Sequence, residues 1–171
     1  MNLRRLPRGV APVTTGPGQE SAWDYPRPAR CEPTDRHLIL IFGREVVAET
    51  RRAYRVLETS HPPGYYIPTR DWRTSVLAPV PGSSWCEWKG QAQYYDVHAA
   101  GQTARHAAWG YPEPTPAFAA IADCVSVYPG LVDRCVVDRI EVIPQAGDFS
   151  GGWITPDVVG PFKGESGTWG W

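Results

Sequence analysis

His37-Leu38-Ile39-Leu40-Ile41-Phe42-Gly43-Arg44-Glu45-Val46-Val47-Ala48-Glu49 is the stretch that decides the fold. An unbroken apolar run reaches Gly43-Arg44, and a second run rich in valine leaves it. β-Branched and apolar residues on both sides of a two-residue turn read as an antiparallel hairpin. Residues 53–57 read as a third strand, with Tyr54 and Val56 on one face and Arg55 on the other.

Further along, Pro62 and Pro63 remove donors and bar helix from residues 59–68, where Tyr65-Tyr66-Ile67 reads as a short strand. Residues 69–84 read as loop, with a helical turn around 71–76. Gln91 to His98 is a further strand, and Gly101-Gln102 turns the chain into another short one. The single expected helix covers residues 116–122, where alanines are dense, Thr115 can cap and Pro116 suits the first position. Residues 125–128, 135–137 and 140–143 close the sheet, with Asp138-Arg139 as a turn.

The expected fold is therefore mostly β with one short helix, in one domain. Residues 1–35 are a Pro-rich arm packed on the body through Trp23-Asp24-Tyr25-Pro26, residues 36–145 the core domain, and residues 146–171 a Gly/Trp-rich tail. Trp153, Phe162, Trp169 and Trp171 of that tail need somewhere to pack.

Charge narrows the partners. The net charge is −1 and the 15 arginines are scattered among 18 acids, which argues against nucleic acid or an anionic membrane. The apolar run Leu38 to Phe42 is far short of a membrane segment. Cys31, Cys86, Cys124 and Cys135 form no CxxC pair and have no histidine at ligand spacing. Neither a zinc site nor a disulfide framework is expected, and the reading is a cytoplasmic protein with reduced thiols and without cofactor, its oligomeric state open with a monomer favoured. Lysine occurs only at 89 and 163, so a lysine kept where arginine is the default hints at a needed ammonium.

Three segments concentrate chemistry. Glu58-Thr59-Ser60-His61-Pro62-Pro63-Gly64-Tyr65-Tyr66-Ile67-Pro68 sets a carboxylate and an imidazole on a rigid path. Trp85-Cys86-Glu87-Trp88-Lys89-Gly90 sets a thiol and an ammonium between indoles. Trp109-Gly110-Tyr111-Pro112-Glu113-Pro114 is an aromatic turn leading into the helix. Aromatic walls with a few polar groups suit a small organic ligand. The expected ligand-binding residues are Glu58, His61, Tyr66, Cys86, Trp88, Lys89, Trp109 and Tyr111, with Lys89 pairing Glu58 or holding an anionic ligand. An enzyme using Cys86 or Glu58, and an interaction module docking through arm and tail, are the alternatives.

These three ordered motifs resemble the bacterial domain-of-unknown-function family numbered 427, over roughly residues 36–130, with Glu87 and Gly110 departing from the family's usual Pro and Ser. The resemblance implies that Glu58, His61, Tyr66, Pro68, Cys86, Lys89, Gly90, Trp109, Tyr111 and Pro112 are motif positions. It also implies a compact β-tent, two small antiparallel sheets meeting at an angle. Tent folds often carry a zinc knuckle, whose ligands this chain lacks. The family also bears a nucleotidyltransferase-like label. That chemistry needs paired carboxylates for Mg²⁺ and a phosphate-cradling loop, and neither motif occurs in this sequence.

Overall fold

In the structure, a computed structural model that describes residues 6–148 and 150–171, Gly43 and Arg44 both take left-handed backbone, with φ of 61° and 62°. Two such residues in succession make the tight turn whose twist matches its flanking strands. Gly43 is also close-packed: an added Cβ would lie 2.9 Å from the Ala99 carbonyl oxygen.

In chain order the strands begin with β1 (Glu20–Ser21), β2 (Arg30–Thr34), β3 (Leu38–Phe42), β4 (Glu45–Thr50) and β5 (Ala53–Leu57). There follow β6 (Gly64–Pro68), β7 (Leu77–Cys86), β8 (Gly90–Ala99), β9 (Gln102–Gly110) and β10 (Cys124–Val127). The last are β11 (Arg134–Val137), β12 (Ile140–Glu141), β13 (Ile143–Pro144), β14 (Trp153–Ile154) and β15 (Val158–Val159).

Two antiparallel sheets carry the fold. The larger has seven strands in the order β2-β5-β6-β10-β9-β8-β7, and the smaller four, β12-β11-β3-β4. They share a core in which Leu38 and Leu40 of β3 and Val137 of β11 join Tyr65 and Ile67 of β6, Val97 of β8 and Val125 and Val127 of β10. A single register flip explains what lies on the other side. Tyr66, between Tyr65 and Ile67, points the opposite way. It belongs to a second, aromatic cluster with Trp109, Tyr111, Phe118, Ile121 and Cys124. The larger sheet is thus covered on both faces, and the candidate site belongs to the second.

The ends of the chain are tied together and to the body. β1 pairs in parallel with β15, and β13 pairs with β14. Trp153 is fully buried in the main core, its Nε1 donating to the Val127 carbonyl at 3.2 Å. Among the described residues no helix is long and apolar enough to cross a membrane.

Two local expectations need correction. Residues 77–84, read as loop, belong to β7. That strand is the edge of the larger sheet, where Pro79 and Pro81 need no donor on the open side. Its ladder with β8 is irregular between Val80 and Ser83, which absorbs Pro81-Gly82. The helix after residue 115 is present but is 3-10, over Pro116–Ile121, with non-helical backbone at Phe118. Thr115 does not cap it through its side chain; its hydroxyl donates instead to the Trp88 carbonyl, 2.6 Å away.

Candidate functional site

The segment after β5 forms the floor. His61 N donates to the Glu58 carbonyl at 3.0 Å, closing a turn that passes through left-handed Ser60 at φ 72°. Both ends of the chain pin this turn in place. Ser60 N donates to Ala22 O, while its carbonyl accepts from Lys163 N at 2.8 Å. Trp153 N donates to Pro63 O at 2.8 Å. The backbone that carries Glu58 and His61 is therefore held from both sides.

Opposite it stands the tip of the β7–β8 hairpin, bearing Cys86, Trp88 and Lys89. Gly90 takes φ 107°, and an added Cβ there would come within 3.3 Å of the Glu113 carbonyl. Thr115 fastens the tip with two bonds, its N–H to Lys89 O at 3.0 Å and its Oγ1 to Trp88 O. Between floor and tip rise Trp109 and Tyr111. Trp109 packs on Tyr128 with ring centroids 4.4 Å apart.

These elements enclose a hollow of about 370 Å³. Glu58, His61, Cys86, Trp88, Lys89, Trp109 and Tyr111 all line it, so three segments distant in sequence do meet. Tyr66 does not reach the surface of the hollow. It is buried behind the wall, its hydroxyl accepting from Trp109 Nε1 at 3.3 Å, its ring edge-on to Trp109. Strand alternation placed it on the right face, but Trp109 covers it.

The expected Glu58–Lys89 ion pair does not form. Glu58 turns instead to Arg27, whose Nε stands 3.5 Å from its Oε1, with His61 Nδ1 at 3.9 Å from its other oxygen. The Lys89 ammonium sits over the Tyr111 ring, 5.4 Å from its centroid, and has no carboxylate within 4.0 Å among the described residues. A cation over a phenol face is attracted by the ring quadrupole.

Lining residues outside the expected ligand-binding set include Trp85, Tyr94, Tyr128, Ser150 and Lys163. For Lys163 a signal existed: it is the only other lysine of the chain. A larger hollow, of about 600 Å³, runs along β2 and β5. Its arginines are mostly neutralised, Arg36 by Asp138 and Asp157, and Arg55 by Glu20 and Glu32.

His61 is buried, and its Nδ1 lies 3.0 Å from the Thr59 carbonyl, which can only accept. Nδ1 therefore carries the proton. Burial holds the imidazole below its ordinary 6.5; Glu58 pulls the other way, and Lys163 and Arg27 add to the burial effect. As pH falls, the unfolded chain takes up this proton first, so the contribution of His61 to stability is present above 6.5 and lost below it. Thermal unfolding should then show a decline in Tm between about pH 7 and pH 5 that His61→Gln flattens.

Among the described residues no group of three or more His, Cys, Asp or Glu side chains is placed to hold a metal. No curated protein matches the chain. A family model described as a domain of unknown function, DUF427, matches residues 30–138, and the chain belongs to that family.

Proposed function

We propose that the protein binds a small organic molecule in the hollow between the hairpin tip and the His61 turn. Trp88, Trp109 and Tyr111 serve as walls, and Glu58, Lys89 and Lys163 orient the polar groups of the ligand. One observation carries the reading. The only two lysines of the chain, 89 and 163, line the same aromatic-walled hollow, although arginine outnumbers lysine 15 to 2. Aliphatic residues fill a core more cheaply than ammonium groups, so two lysines at one hollow point to polar contacts there. The volume, about 370 Å³, also falls in the range of small-molecule sites.

Native mass spectrometry and thermal-shift screening against small organic compounds test this. At least one compound should add mass or raise Tm, as a ligand that binds only the folded state must. Glu58→Gln and Lys89→Met should each diminish the response. If both leave every response unchanged, the reading fails.

Cys86 favours a second reading, an enzyme with that thiol as nucleophile or Glu58 as base. Of the four cysteines, Cys86 is the one that lines the hollow. Cys124 is a useful internal comparison, because burial pushes its thiol up to about 12. Iodoacetamide near pH 7 should modify Cys86 well before Cys124. Equal rates would remove the nucleophile version.

A further inference from the structure

We infer that the outer face of the four-stranded sheet binds a second copy of this chain, face to face about a two-fold axis. This goes beyond the ligand-binding reading and does not depend on it. Leu38-Ile39-Leu40-Ile41-Phe42 is apolar at every position. An antiparallel strand with one face in water alternates apolar with polar residues, whereas a continuous apolar run marks a strand covered on both faces. Leu38, Leu40 and Phe42 enter the main core, so Ile39 and Ile41 point the other way.

Register builds the rest of that face, because directly paired residues share a side. Ile39 pairs with Val136 and Glu49, and Val136 with Glu141, which gives the row Glu141-Val136-Ile39-Glu49. Ile41 pairs with Arg134 and Val46, which gives a second row, Arg134-Ile41-Val46. Ile39, Ile41 and Val136 are half-buried and Val46 is 42% exposed, so four β-branched side chains lie side by side between exposed charges. A depression of about 370 Å³, lined by Ile41, Arg44, Val46, Asp133 and Arg134, indents the second row. Apolar surface rimmed by charge in this way marks an interaction site.

Charge identifies the occupant. Glu141 and Glu49 end the first row, Glu49 also touching His37 at 2.6 Å. Arg134 begins the second row, and with Arg44 it outweighs Asp133 there. Neither Arg134 nor Glu141 has an ion-pair partner among the described residues. A two-fold axis lying in the interface, across the strands, sets the basic row of one copy on the acidic row of the other. It lays Ile41 over Ile39 of the second copy and brings Arg134 beside the second copy's Glu141. The face is thus complementary to itself, as a two-fold contact requires, whereas a partner of one charge sign would meet like charge at one row. Four strands span about 20 Å and five residues about 17 Å, which puts this contact at the small end of specific interfaces. The dimer is therefore weak and forms as concentration rises.

Sedimentation velocity of the full chain, from about 1 µM to about 500 µM, tests this on the scale expected of a small interface. The sedimentation coefficient should climb from the monomer's towards the dimer's. Arg134→Glu and Glu141→Arg, each checked for unchanged Tm, should weaken association about tenfold or more by setting like charges together. An equimolar mixture of the two variants should associate again, because the heterodimer restores opposite charges at both contacts. Val46→Asp, at an exposed apolar position, should weaken association as well. A wild-type chain that stays monomeric throughout would overturn the inference and leave the face to a different kind of partner. A dimer that persists unchanged in all three variants would place the contact elsewhere, and a mixture that fails to associate would contradict the two-fold pairing. None of these outcomes bears on whether a small molecule enters the hollow.

Discussion

Trp153→Ala should cost about 3–5 kcal/mol in a denaturant titration, as removal of a fully buried large aromatic does. The indole is 0% exposed, lies 5.1 Å from the Tyr65 ring between centroids, and satisfies the Val127 carbonyl. Truncation opens a cavity in the main core and orphans a buried acceptor at once. Trp169→Ala, at a residue 61% exposed, is the control and should stay within about 0.5 kcal/mol. The contrast bears on the idea of a Trp-rich segment that docks onto a partner. A segment whose first tryptophan closes the core cannot be released for docking without unfolding the protein. Deleting residues 150–171 should therefore destabilise the whole molecule, and an unchanged Tm would contradict the packing described above.

Gly151→Ala should be the most damaging small change near the site. Gly151 has φ 61°, and an added Cβ would fall 2.3 Å from Trp109 Cη2 and 3.0 Å from Tyr128 Cδ1. Left-handed backbone costs a residue with a Cβ about 1–2 kcal/mol, and forced overpacking about 1–3 more, so a loss of about 2–5 kcal/mol is expected. The indole has to move, and it is a wall of the hollow, so any ligand response should fall with stability. Gly167→Ala separates the two contributions. It has φ 87° but nothing within 4 Å of the added carbon, so only the backbone term applies. Equal losses at both positions would mean that Gly151 does not press on Trp109.

Much of this architecture is legible from local pattern. The apolar runs around Gly43-Arg44 specify the hairpin because register, turn and burial all agree there. Tyr65 and Tyr66 fall on opposite faces by alternation alone, which is why one enters the core and the other backs the site. The Glu58, Trp85 and Trp109 segments converge as their density of unlike side chains suggested.

What the sequence hides is mostly non-local. Arg27 reaches Glu58 from the Pro-rich arm, and no spacing rule links the two. Lys163 arrives on a segment with no periodicity, its N–H donating to the Ser60 carbonyl and its own carbonyl accepting from Gln145 Nε2 at 2.7 Å. The β7 strand is masked by Pro79, Pro81 and Gly82, which signal loop unless the strand is known to lie at an edge. The bond from Thr115 to the Trp88 carbonyl, which ties the start of the 3-10 segment to the hairpin tip, is a tertiary contact that propensity does not see. A hairpin tip fixed from outside in this way needs less ordering when a ligand arrives.

The most direct check of the ligand site is an NMR titration of the indole N–H signals with a small organic compound that raises Tm in the thermal-shift screen. Trp88 and Trp109, which line the hollow, should shift in a saturable way, while Trp72 and Trp153, buried in the main core, stay still. Movement of the core pair alone, or no movement of Trp88 and Trp109 with any compound that binds, would contradict the account.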